Sequence, residues 1–152
     1  MADASRRAAR SHLPNAVFVA ADALALPPAL DGIAGELTIT LPWGSLLGAA
    51  VAADARIIGL LRGGAQLRLL LSASPADRHA GLASIDPAAL ADAYRAAGLD
   101  AVRVRPATID DVRAAGSSWG KRLLNGGRGA GDRRLWLLDA VRPCRRTGRG
   151  EG

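Results

Sequence analysis

Two tryptophans carry the clearest chemical signal in this 152-residue sequence. Trp43 stands in Leu41-Pro42-Trp43-Gly44, directly after a β-branched run, and Trp119 stands in Ser117-Ser118-Trp119-Gly120-Lys121-Arg122-Leu123, beside two cations. An exposed indole next to cations is a stacking platform for a nucleobase, worth about 1–3 kcal/mol per base. The competing reading is that each indole plugs an edge of the core. The other aromatics are Phe18, Tyr94 and Trp136. The charge distribution extends the argument. Residues 1–119 hold 11 basic and 11 acidic side chains, whereas residues 120–152 hold nine basic ones (Lys121, Arg122, Arg128, Arg133, Arg134, Arg142, Arg145, Arg146, Arg149) and three acidic. The whole net charge of +6 therefore sits in the last fifth of the chain. Such a block suits a polyanion, because each neutralised phosphate releases counterions; a solvated tail is the alternative.

Other chemistries find little support. His12 and His79 are the only histidines, and no G-x-S-x-G elbow exists, which argues against a hydrolase. Asp110-Asp111 sits where a helix start attracts acids in any case. A single cysteine, Cys144, allows neither an internal disulfide nor a Cys-based metal cluster, so no metal is expected and a reducing cytoplasm is the default. The apolar fraction of 49% argues against disorder, no apolar run approaches the length of a membrane span, and the N-terminus lacks the apolar stretch of a signal peptide.

Strands and helices follow one another along the chain. Residues 2–12 read as the end of a helix closed by Pro14, and Ala16–Ala20 as a buried strand. Glu36–Thr40 is a second strand. Ser45 opens an apolar segment to about Leu61, too long for a strand and therefore expected as one helix, stopped by Gly63-Gly64. Gln66–Ser72 is a third strand. Asp86 caps a helix with Pro87 in its first position and Gly98 at its close. Val102–Val104 alternates with Arg103 and Arg105 and reads as a less buried strand. A helix is expected from Ile109 toward Leu123, then a glycine-rich stretch, then a last strand at Leu135–Val141. Strand and helix alternate, so the class is α/β, with a mainly parallel sheet covered by helices on both faces and an antiparallel final pair. Ligands in such sheets sit at the carboxyl ends of strands, which puts Ala21-Asp22-Ala23 and Leu41–Gly44 on one rim.

Taken together, Ala16–Pro27, Thr38–Leu47 and Ser117–Leu123 resemble consecutive signatures of the aminoglycoside-resistance 16S rRNA (adenine(1408)-N(1))-methyltransferases, in the same order and spacing, up to about residue 142. The resemblance implies a Rossmann-like class I methyltransferase fold, S-adenosyl-L-methionine as cofactor, and methylation of N1 of a decoding-site adenine in the small ribosomal subunit. Its expected partner is 16S rRNA, with no membrane, and the chain is expected as a monomer. By that resemblance Trp43 and Trp119 sandwich the flipped adenine, and the stacking lost on flipping is regained against the indoles. Ser118 is expected to bond the base, to fix the Trp119 loop, or simply to cap a helix. Lys121, Arg122, Arg128, Arg133 and Arg134 are expected to hold rRNA phosphates. Ala23, Leu41, Pro42 and Trp43 are expected to line the cofactor.

The sequence departs from that family in two places. Leu24 stands where an acidic residue is expected just after the alanine, with Asp22 two positions earlier. No G-x-G-x-G turn or strand ending in an acid precedes Ala16, and these are the features that let backbone approach the cofactor and bind its ribose. The expectation is a partial methyltransferase domain over residues 1–142, lacking its first strands and the cofactor-binding third, and a basic disordered tail over 143–152. A sheet without its middle strands should leave apolar faces unpartnered, and this chain should neither bind the cofactor tightly nor methylate the small subunit. An RNA-binding module using the Trp and Arg surface, or an inactive remnant, is the competing expectation.

Overall fold

A computed structural model describes residue 16 and residues 21–73, 84–125 and 134–144. The expected helix at 2–12, most of the strand at 16–20, both histidines, the glycine-rich stretch and the tail beyond Cys144 lie outside the described residues.

After a 3-10 turn at Pro28–Leu30 come β1 (Ala34–Thr40), α1 (Gly44–Val51), α2 (Ala55–Gly59) and β2 (Leu61–Ala73). Then follow α3 (Pro87–Ala96), β3 (Asp100–Pro106), α4 (Ile109–Ala114), α5 (Ser118–Leu124) and β4 (Arg134–Val141). The strand order is β1-β2-β4-β3; β1 and β2 run parallel, and β4 runs antiparallel to both of its neighbours. The carboxyl ends of β1, β2 and β3 therefore share one edge of the sheet with the amino end of β4. Burial explains why β4 is interior. Its Leu137, Leu138 and Ala140 are buried, whereas β3 buries only Val102 and carries Arg103 and Arg105 exposed, as suits an outer strand.

Two expected helices are each broken in two. The apolar segment after Gly44 stops at Ala52-Ala53, where Ala53 takes a left-handed φ of 51°, and restarts because the Asp54 carboxylate accepts from Arg56 N–H. The segment from Ile109 breaks at Gly116 (φ 62°), and Ser117 caps the new helix. In both, a local cap competes with continuation and wins, which apolar periodicity cannot register. The helix from Pro87 forms as expected, with the Asp86 carboxylate accepting from Ala88 N–H and Gly98 at φ 83° beyond its end.

Among the described residues, helices cover one face of the sheet fully and the other only in part, where cover on both faces was expected. The main core gathers Leu47, Ile57, Leu67, Leu69, Leu71, Leu90, Tyr94 and Leu138 between the sheet and α1–α3. On the opposite face a smaller cluster of Leu41, Leu70, Val112 and Leu137 is roofed by α4 and α5 at the carboxyl edge alone. Among the described residues the remainder of that face is mostly polar, with Val141 its apolar exception. Thr38, Arg68, Asp139 and Arg103 lie in one cross-strand row, with Arg68 Nε donating to Asp139 Oδ1 at 2.7 Å, and Glu36 and Gln66 pair in the next. No helix among the described residues is long and apolar enough to cross a membrane.

Candidate nucleic-acid interface

The site is assembled at the shared carboxyl edge. β1 ends when Leu41 N–H donates to Leu70 O at 2.7 Å, and Leu41 then takes a left-handed φ of 49°, costly for a branched side chain. That turn drives the Leu41 side chain into the smaller cluster, where it is 7% exposed, and buries Pro42. Trp43 is left projecting, 82% exposed, in extended backbone at the N-cap of α1. Gly44 (φ 60°) supplies the second left-handed residue of the corner. An indole cannot accept from amide groups, so the first N–H groups of α1 meet this rim without a side-chain cap.

Trp119 reaches the same edge by another route. Arg105 at the end of β3 grips Asp111 with two hydrogen bonds, Nη1 to Oδ2 at 2.6 Å and Nη2 to Oδ1 at 2.7 Å. Thr108 N–H and Oγ1 also donate to that carboxylate, and Thr108 Oγ1 accepts from Asp111 N–H, completing a capping box for α4. The Arg105 guanidinium, with the Thr108 N–H behind it, holds the Asp111 carboxyl well below the usual carboxylate range. Asp110 only pairs with Arg113 at the surface, so the two acids are a helix start and not a catalytic pair. α5 then packs on α4, and Leu123 and Leu124 lie against the cluster that contains Leu41. Through that cluster the Pro42-Trp43 corner and the Trp119 helix are anchored to common ground. Trp119 is 40% exposed, Lys121 and Arg122 on the same helix are exposed, and so is Arg134 at the first position of β4. Arg128 and Arg133 lie outside the described residues.

The structure does not bring every expected residue here. Ala23 and Leu24 instead line a crevice with Ala55, Arg56, Gly59 and Leu60. Gly59 O and Leu60 O accept from Gly32 and Ala34 N–H, so this crevice lies at the amino end of β1, the far end from Trp43. The Asp22 carboxylate is engaged locally, accepting from Leu24 N–H at 2.9 Å. Leu41 and Pro42 reach the rim as backbone, their side chains being buried. The cap of α5 is Ser117, whose Oγ accepts from Gly120 N–H at 2.8 Å, which removes capping from the roles open to the exposed Ser118. Sequence reasoning passed over Ser117 and Gly120; the S-x-x-G spacing ahead of an apolar turn was the signal available. Trp136, the third tryptophan, packs half-buried against the main core. No group of three or more metal-ligating side chains occurs among the described residues.

This arrangement presents two exposed indoles and adjacent cations on one edge, and no paired acid and base lies there among the described residues. Planar apolar faces beside cations can stack on an aromatic ring and meet negative charge. A family profile, NpmA: 16S rRNA (adenine(1408)-N(1))-methyltransferase, matches residues 1–139. No curated relative matches the chain. Among solved structures, the antibiotic-resistance methyltransferase Kmr is 34% identical, with 94% of this chain covering 70% of that one at a TM-score of 0.64. A mutant of the 16S rRNA (adenine(1408)-N(1))-methyltransferase from Catenulisporales acidiphilia, solved with cosubstrate SAM, is 29% identical, with 88% and 64% covered and a TM-score of 0.61. The 16S rRNA methyltransferase KamB is 28% identical, with 81% and 60% covered and a TM-score of 0.62. The chain thus spans 60% to 70% of the length of these relatives.

Proposed function

The chain belongs to the 16S rRNA (adenine(1408)-N(1))-methyltransferase family, and on that premise we propose that it acts in methylation of adenine N1 at the decoding site of 16S rRNA, giving aminoglycoside resistance. It acts in the cytoplasm, as a monomer, on the small ribosomal subunit. The observation that carries the reading is the pair of exposed indoles, Trp43 and Trp119, on one edge of the sheet, in segments whose Leu41, Leu123 and Leu124 meet in one hydrophobic cluster. Flipping an adenine out of its helix costs a few kcal/mol, and stacking of its two faces on Trp43 and Trp119 offsets that cost. Adenine N1 carries a lone pair and no proton at neutral pH, so the site needs no general base. Its task is to orient the base. Lys121, Arg122 and Arg134 fix the neighbouring phosphates, joined in this proposal by Arg128 and Arg133, and Ser118 is free to contact the base.

S-adenosylmethionine is the methyl donor that this reading implies. The described residues do not make a site for it. Ala23 lies at the wrong end of β1, Leu41 and Pro42 are buried, and of the expected cofactor contacts only Trp43 presents its side chain at the rim. That mismatch favours a second reading, in which this chain binds the target RNA without the cofactor. Fluorescence anisotropy with a labelled decoding-site hairpin, beside calorimetric titration with S-adenosylmethionine, separates the two. Hairpin affinity is expected to fall about tenfold on Trp43→Ala or Trp119→Ala, and affinity unchanged by both substitutions refutes the base grip. Micromolar cofactor binding together with methylation of the hairpin would establish the full enzymatic reading and exclude the binding-only one.

A further inference from the structure

Gly120 follows Trp119 directly, at the third position of α5, and is buried. Its φ is not left-handed, so nothing in the local backbone calls for glycine, and alanine would favour the helix. The reason for glycine is contact with α4. A Cβ at this position would stand 3.0 Å from Ser117 Oγ, 3.0 Å from Val112 Cγ1 and 3.3 Å from Val112 O. None of these neighbours is free to give way. Ser117 Oγ is committed to the α5 cap, and Val112 is 2% exposed in the cluster shared with Leu41, Leu70 and Leu137. With these neighbours held, a side chain at 120 is accommodated by a shift of a few tenths of an ångström in α5, and Trp119 is carried on that helix.

We propose that Gly120 is a positioning residue: its missing side chain sets the approach of α5 to α4 and so aims the Trp119 indole at the target base. The proposal rests on the base-stacking reading above. Because Leu123 and Leu124 of α5 pack on the cluster that receives Leu41, the same approach also fixes the Trp119 helix relative to the Pro42-Trp43 corner.

A double-mutant cycle on the intact chain tests this, read as affinity for a fluorescein-labelled decoding-site hairpin. Trp119→Ala is expected to weaken binding about tenfold, Gly120→Ala about fivefold, and Gly120→Ala no further once Trp119 is already alanine. Val112→Ala removes Cγ1 and is expected to recover part of the Gly120→Ala loss. It also provides the background in which the substitution is read if Gly120→Ala alone does not fold. An equal loss from Gly120→Ala with and without Trp119 marks a merely structural role and overturns the proposal, as does no loss in the Trp119 background while Trp119→Ala remains damaging. If Trp119→Ala itself costs nothing, the base-stacking reading falls and takes this one with it.

Discussion

Tyr94→Phe is expected to destabilise the chain by about 1–3 kcal/mol, and the structure shows where that figure comes from. Tyr94 on α3 is 0% exposed, and its hydroxyl donates to Ala50 O at 2.7 Å. Ala50 lies in the last turn of α1, where carbonyls lose their helical partners. Ala52 and Asp54 N–H take the carbonyls of Gly48 and Ala49, which leaves Ala50 to the tyrosine. Ala50 is also 0% exposed, so water does not replace the hydroxyl. Phenylalanine keeps the ring packing and removes only the bond, so the cost is a lost hydrogen bond plus a buried carbonyl without a partner. The effect concerns function as well as stability, because α1 presents Trp43 at its other end. Urea unfolding at neutral pH measures the difference. Burial raises the Tyr94 phenol above its ordinary value of 10.0. Its stabilising contribution is therefore complete below pH 10 and is lost as pH rises toward the folded value, since the unfolded chain ionises first. The gap between wild type and variant should narrow in alkali. A gap under about 0.5 kcal/mol at neutral pH, the scale of an inert surface change, refutes the reasoning, and so does a gap that widens above pH 10.

Asp111→Asn breaks the α4 capping box and should cost about 1 kcal/mol at neutral pH. Because the folded Asp111 carboxyl is depressed below 3.8, that cost should fade as pH falls below 3.8 toward the folded value, as acid unfolding midpoints of the two proteins would report. Asp54, held down to about 2 by the hydrogen bond from Arg56, adds stability that is lost over the same acid window. Leu69→Ala opens a cavity at a residue 0% exposed in the main core and should cost about 2–5 kcal/mol in thermal or chemical unfolding. Removing Lys121 and Arg122 together should weaken hairpin binding and reduce the slope of log affinity against log salt by about 1–2, in titrations at several salt concentrations; an unchanged slope would mean that neither cation meets a phosphate.

Alternation in Leu37-Thr38-Ile39-Thr40 and Val102-Arg103-Val104-Arg105, and the Asp86-Pro87…Gly98 punctuation, were legible because each is a local preference that tertiary contacts only reinforce. The two tryptophans were legible as well. Large aromatics are costly to expose, and the structure leaves both exposed, Trp43 at the N-cap of α1 and Trp119 on the first turn of α5 where a loop was expected. The helix breaks at Ala53 and Gly116 were not legible, since a cap from Asp54 or Ser117 competes with an apolar period by a margin of about 1 kcal/mol.

The alternating α/β order, the concentration of charge after residue 119, and the two tryptophans that stand apart as candidates for stacking were all present in the sequence. The neighbours that these and the other expected residues keep were settled by how the chain folds. Folding sent Ala23 to the far end of β1, buried Leu41 and Pro42, moved the cap from Ser118 to Ser117, and set Gly120 so close to Val112 and Ser117 that a Cβ would stand 3.0 Å from each. The physical reason is common to all four. Each depends on a contact between segments that one-dimensional spacing does not specify: Leu41 with Leu70 and Val112, and Gly120 with Val112, become neighbours only when the sheet and its carboxyl-edge helices close on one another.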